Sequence, residues 1–261
     1  MVALDKIDPR AEMPAAKIAE LDLQVLANTP VNSEYRQLIL RAPRALLESC
    51  RAGQFFHLLC PDAGGERPYL RRPMSIYGYY PDRGELHFLY KVTGRGTRAL
   101  GELVPGDALG VVGPLGVPFR IESDWRNPVL VARGVGLATL APLALEAQRR
   151  GIRVTAICSA RHPDYLMSID NFRAMGADVV TITDAEGTSS TQNLRAILED
   201  LVAGGAADAL YTCGSNRMLK VVQQVARDHD IAGQIALEQQ MACGIGMCHC
   251  CVRPFRRDGM I

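Results

Sequence analysis

The chain has 261 residues, 48% hydrophobic and 22% charged, with a formal net charge of +1. Such a composition describes a globular protein long enough for two modest domains. The balanced charge supplies no overall field for nucleic acid or a membrane surface. Eight cysteines, several of them clustered, follow an opening segment, MVALDKIDPRAEMP, that lacks the apolar core of a secretory signal. Together these features point to the reducing cytoplasm and to metal use.

The first half reads as β-structure. Leu21, Leu23 and Val25 alternate with polar residues, and EYRQLILRAP and ELHFLYKV are further short apolar-rich runs. Pro81-Asp82-Arg83-Gly84 and Pro105-Gly106-Asp107 supply turns. Strands punctuated in this way predict a small antiparallel barrel over residues 15–122. Two runs within it carry chemistry. In Arg72-Pro73-Met74-Ser75, an arginine able to fork onto a pyrophosphate precedes a hydroxyl able to serve a flavin ring edge. In Lys91-Val92-Thr93-Gly94-Arg95-Gly96-Thr97, the glycines let amides approach phosphate oxygens, and Thr97 adds a hydroxyl or starts a helix. Either run alone reads as a turn or loop; both, in this order and ahead of an α/β half, point to a cofactor site.

From about Asn127 the texture changes. PVLVA, RVTAICSA, ADVVTITD and DALYTCG read as buried strands. Helical patterns run through Leu143 and Ala147, near Asn193 to Leu201, and from Met218 to Asp228. The alternation predicts a parallel, doubly wound sheet over residues 123–232. The apolar stretch from Pro128 to Leu145 contains Arg133, two glycines and an internal proline, so it reads as strand, turn and helix rather than a membrane span. In it, Arg133-Gly134-Val135-Gly136-Leu137 follows a strand and opens a helix, where a dinucleotide's phosphates can rest on amide donors and the helix dipole. The alternative is a plain strand–helix turn. Arg133 either supplies charge to a pyrophosphate or narrows its approach. Arg161 either accepts a 2′-phosphate or stays a solvated surface charge. The five histidines are scattered and form no helical metal motif.

The third module, residues 233–261, contains EQQMACGIGMCHCCVRPF. Cys243, Cys248 and Cys251 are separated by four and two residues, on a loop that Gly244 and Gly246 let turn sharply. Three thiolates so spaced can grip a plant-type [2Fe–2S] cluster. A zinc knuckle using His249 or Cys250, and a reactive or structural thiol cluster, are the alternatives. The cluster pattern needs a fourth cysteine, and the ten residues after Cys251 contain none. The 261-residue chain is therefore expected to hold a cluster poorly, and any native sequence past Ile261 is expected to carry a further cysteine.

On these motifs the whole chain resembles the ferredoxin–NADP reductase superfamily, and more closely the electron-transfer subunits of type B dihydroorotate dehydrogenase. The match runs from about Lys17 to Val252, and the cysteine loop is its most specific part. The resemblance implies a flavoprotein oxidoreductase subunit with FAD in the barrel, contacted by Arg72, Ser75, Gly96 and Thr97, Ser75 orienting the flavin ring. Pro73, Met74 and Lys91 fall within the same two runs. It implies a nicotinamide nucleotide, NAD with NADP not excluded, at Gly134, Gly136 and Cys213-Gly214, with Cys213 near the nicotinamide. It implies a [2Fe–2S] cluster on Cys243, Cys248 and Cys251, and an FMN-containing catalytic subunit in a heterotetramer serving pyrimidine biosynthesis. Two departures, Arg133 for a usual glycine and Gln240 for a usual arginine, leave room for another redox partner, such as a sulfhydrogenase. A cofactor-free scaffold is the rival from a different class.

Overall fold

The computed structural model describes residues 18–62, 65 and 68–253. The expectations placed on residues 1–17 and 254–261, the missing secretory signal and the end of the cysteine module, lie outside them.

Six strands, β1 (Ala19–Pro30), β2 (Tyr35–Arg41), β3 (Phe55–Leu58), β4 (Arg72–Tyr80), β5 (Glu85–Lys91) and β6 (Ala108–Leu115), close into a barrel in the order β1-β2-β5-β4-β3-β6. All its pairings are antiparallel. Alternate side chains turn inward, as the period of a strand requires. Leu23 and Val25, Leu38 and Leu40, and Leu86, Phe88 and Tyr90 meet Phe56, Ile76 and Val111 in one core. Phe56 and Phe88 pack edge to face at 5.8 Å. Gly113 makes room for that pair, since a Cβ there would stand 2.4 Å from the Phe56 ring. Two short helices, α1 (Arg44–Ser49) and α2 (Arg95–Gly101), lie in the connections.

The second unit is a five-stranded parallel sheet. Its strands are β7 (Pro128–Arg133), β8 (Thr155–Ala160), β9 (Asp178–Thr183), β10 (Ala209–Cys213) and β11 (Ala232–Ala236), in the order β11-β10-β7-β8-β9. Helices α3 (Gly136–Arg149), α4 (Ile169–Ala174), α5 (Thr191–Ala203) and α6 (Asn216–Asp228) connect successive strands. β7 and β8 are almost wholly buried, which explains their unbroken apolar runs. The stretch from Pro128 is strand, turn and helix, and no described helix is long and apolar enough to cross a membrane.

In sequence the units meet at Phe119/Arg120 and at Glu238/Gln239, where the sequence expectation cut after residues 122 and 232. Residues 232–236 form β11, paired with β10, so a cut at residue 232 divides a strand. The α/β unit runs from Arg120 to Glu238, and Gln239–Cys251 groups with the barrel. From Leu237 to Arg253 the chain has no helix or strand.

Candidate functional site

On the barrel, β4 enters its sheet with a half-exposed run, Arg72 to Ser75, before its interior turns fully buried at Ile76. Ser75 stands opposite Phe55 of β3. The structure brings the two predicted runs together. A Cβ on Gly96 would stand 2.9 Å from Arg72 Nε and 3.0 Å from Cys60 Sγ, so the bare backbone of α2 is what lets the guanidinium lie against it. Thr97 is the third residue of α2 and caps its start from within. Its Oγ1 accepts from Thr93 N at 2.9 Å and Gly94 N at 3.1 Å, holding the loop in place. Lys91 closes β5, with its ammonium 3.0 Å from Glu34 and over the Tyr35 ring. An arginine fork beside a glycine-opened turn suits a pyrophosphate and its dinucleotide.

In the α/β unit the strand order reverses between β7 and β10, and in open parallel sheets that is where a crevice opens at the carboxyl ends of the strands. The predicted nucleotide residues meet there. Gly134 adopts φ 57° and Gly214 φ 108°, both left-handed. A Cβ on Gly136 would stand 2.4 Å from the Cys213 carbonyl oxygen, and one on Gly214 2.7 Å from that of Arg133. The two turns interlock backbone against backbone. The Gly136 requirement is thus first one of strand-end packing, a reason the sequence motif does not display. The amides that open α3 follow directly.

Cys213 is 3% exposed, and its thiol hydrogen-bonds Thr139 Oγ1 at 3.4 Å. Burial pushes its pKa up to about 11, against the opposing Thr139 bond. It is a neutral thiol at physiological pH, fit to shape a site and unfit as a thiolate nucleophile. Arg133 spans the neighbouring strand ends: Nη1 donates to Ser159 Oγ at 2.9 Å and Ala160 O at 3.3 Å, and the guanidinium pairs with Asp184. Arg217 reaches the same carboxylate at 3.3 Å. Hydrogen bonds from Ser189 and Arg133 hold Asp184 below the usual carboxylate range. Arg161 stacks on the Tyr165 ring at 4.2 Å. Asp184 was not singled out from sequence; an acid at the end of the third strand run was the available signal.

On the cysteine loop, Gly244 (φ 68°) and Gly246 (φ 80°) supply the predicted turns. They aim amides at one sulfur. The Cys248 N–H donates to Cys243 Sγ at 3.4 Å. Amides of Cys248, Ile245 and Met247 draw the Cys243 pKa down to about 6, the Cys248 contribution leading. Cys250 points elsewhere, its Sγ 3.9 Å from Gln240 O. Cys251 is half-buried, and among the described residues no three ligand side chains are gathered as a metal centre requires. The donor set suits three of the four ligand positions of an iron–sulfur group: soft thiols on one short loop, the first cradled by amides that favour its anion. One residue sequence reasoning passed over is His57 of β3, whose ring abuts this loop at Gly244.

No family model matches the chain. It is 33% identical over 232 residues, 88% of its length and 89% of the relative's, to the dihydroorotate dehydrogenase B (NAD(+)) electron transfer subunit of Streptococcus pneumoniae. It is 30% identical over 209 residues, 80% of its length and 79% of the relative's, to the subunit of the same name from Desulforamulus reducens. Among solved structures, an NADH-dependent reduced ferredoxin–NADP oxidoreductase, studied for flavin-based electron bifurcation, superposes with a TM-score of 0.73 at 26% identity, covering 88% of this chain and 80% of that one.

Proposed function

The chain belongs to the family of dihydroorotate dehydrogenase B electron transfer subunits, and from that premise we infer that it carries electrons between a nicotinamide nucleotide and a partner catalytic subunit. The partner is an FMN-containing dihydroorotate dehydrogenase of pyrimidine biosynthesis, assembled with this chain as a cytoplasmic heterotetramer. The observation that carries the reading is the 33% identity maintained across 88% of the chain.

The barrel residues would hold FAD, which when bound would supply two-electron hydride chemistry and one-electron exchange with an iron–sulfur centre. This chain's residues bind and orient. Arg72 neutralises a pyrophosphate, with Gly96 opening the approach. Pro73 and Met74 continue the same half-exposed strand, and Ser75 offers its hydroxyl to the ring edge. Lys91, Gly94 and Thr97 hold the second wall of that site. Gly136 presents its amide to the nucleotide's phosphates, Gly134 shapes the turn with its own amide held by Ser159 O, and Cys213-Gly214 forms the floor under the nicotinamide. NAD fits better than NADP: Arg133 is already paired with Asp184 and is not free to receive a 2′-phosphate. Cys243, Cys248 and Cys251 supply thiolates to a [2Fe–2S] centre.

The test is direct. Purified protein should be yellow, release FAD on denaturation, take up iron and sulfide on reconstitution, and lose its flavin absorbance when NADH is added. Folded protein without flavin would sink the reading and favour a scaffold. A second reading, a reductase subunit for another redox complex, draws on the 26% identity to the ferredoxin–NADP oxidoreductase. Copurification of the native protein with its partner separates the two.

A further inference from the structure

His57 is 2% exposed, and its Nε2 has no hydrogen-bond partner among the described residues. Native interiors seldom leave such an atom unpaired, because its desolvation is then uncompensated. What faces it is the cysteine loop. A Cβ on Gly244 would stand 2.5 Å from Nε2, with Cε1 at 2.9 Å and Cδ2 at 3.0 Å. Gly244 follows Cys243 directly and adopts φ 68°. The loop is thus drawn onto the imidazole edge at a residue with no side chain, next to the thiol on which the loop amides converge. Arg71, which precedes β4, leaves a second buried donor, Nη1, without a partner.

We propose that His57 Nε2–H is a hydrogen-bond donor to a sulfur of the iron–sulfur group carried by this loop, and that it raises that group's reduction potential. The inference rests on the cluster reading above. Reduction adds negative charge that spreads onto the sulfurs, so a donor aimed at them stabilises the reduced state more than the oxidised one. The loop amides supply such donors from the cysteine side; His57 supplies one from the barrel side. A neutral imidazole has a single N–H, and the proposal places it on Nε2. His57 is a positioning residue in this scheme, not an iron ligand.

The experiment is an EPR-monitored redox titration of the cluster-loaded protein in wild type, His57→Gln and His57→Leu. Glutamine keeps an N–H near the place of Nε2; leucine fills the volume without one. His57→Leu should lower the reduction equilibrium constant about tenfold, about 59 mV for a one-electron couple, and His57→Gln should restore most of it. Pulsed EPR on wild-type protein with 15N-labelled histidine should show a weak nitrogen coupling, a readout that requires no variant to fold. A strong coupling, that of nitrogen bound to iron, would overturn the proposal in favour of ligation. An unchanged potential in His57→Leu at full iron content, or no nitrogen coupling in wild type, would overturn it in favour of packing. Wild-type protein that takes up no iron and sulfide even with excess iron, sulfide and thiol to fill the fourth position would instead remove the cluster reading, and the proposal with it.

Discussion

Gly136 and Cys213 touch backbone to backbone: a Cβ added to the glycine would lie 2.4 Å from the cysteine's carbonyl oxygen and 2.7 Å from its carbonyl carbon. The obstacle is main chain at the end of a central strand, which cannot rotate away as a side chain would. Gly136→Ala must therefore move α3 or the end of β10. The expected outcome is a loss of stability of about 1–3 kcal/mol, the range for overpacking, together with weaker NADH binding. Gly187→Ala is the comparison: its φ of 70° strains the backbone, but nothing lies within 4 Å of the added Cβ, so it should cost less. Urea unfolding midpoints of the two variants check the ranking.

Arg72 and Gly96 make a similar pair on the barrel, but here the contact is with a side chain. Arg72→Ala removes a charge-assisted bond to a phosphate, worth roughly 1.5–3 kcal/mol, and should raise the FAD dissociation constant roughly tenfold to a hundredfold. Gly96→Ala should leave the barrel folded, because the guanidinium 2.9 Å from the new methyl can swing aside, and should weaken FAD through that displacement. Flavin retention on a desalting column, with circular dichroism to confirm folding, tests both. FAD affinity equal to wild type in Arg72→Ala would remove this residue from the site.

The barrel and the parallel sheet were legible because their strands announce themselves. Leu38 and Leu40 alternate, and PVLVA is buried on both faces. The site glycines were legible as motifs, but Gly136 was assigned to ligand space when its first constraint is the Cys213 carbonyl, a long-range contact no local pattern encodes. Asn28 escaped notice for the same reason. Its Nδ2 donates to Leu100 O at 2.8 Å and Leu103 O at 3.1 Å, and its Oδ1 accepts from Tyr90 at 3.0 Å. It pins the end of α2 from more than seventy residues away. The strand runs of the sequence cover β1, β2 and β5 of the barrel but not β3, β4, β6 or the sheet's β11, each of which is fixed by its neighbours.

His87 gives the barrel an acid-side dependence. It is 7% exposed, and its Nε2 lies 2.9 Å from Glu85 while Nδ1 lies 3.2 Å from Gln37. The Tyr80 ring is 4.9 Å away, and Arg83 stacks over that ring at 3.9 Å. Burial lowers the His87 pKa below 6.5, and the opposing pull of Glu85 does not reverse this. The native state therefore binds its proton less readily than the unfolded chain. Stability is full above pH 6.5, falls as pH drops from there through the lowered native value, and then levels. His87→Gln keeps the Gln37 and Glu85 contacts and removes the titration. Its urea midpoint should lose less than the wild type's between about pH 7.5 and 5. Parallel curves would show that His87 is not the group responsible.

The cysteines should differ widely in reactivity in the iron-free chain. Cys243 has a pKa of about 6 and Cys213 one of about 11. At neutral pH the thiolate fraction favours Cys243 by about four powers of ten. The weaker intrinsic nucleophilicity of the lower-pKa thiolate returns about two of them, and burial of Cys213 works in the same direction as the remainder. Cys50 and Cys158, both buried and pushed up to about 12, should resist as well. A time course with iodoacetamide, mapped by peptide mass spectrometry, should show Cys243 modified first and Cys213, Cys50 and Cys158 last. Loading with iron and sulfide should then protect Cys243 while leaving the slow group unchanged. Early modification of Cys213 would mean that its thiol is activated in solution, and the reading of it as a neutral floor to the nucleotide site would fall.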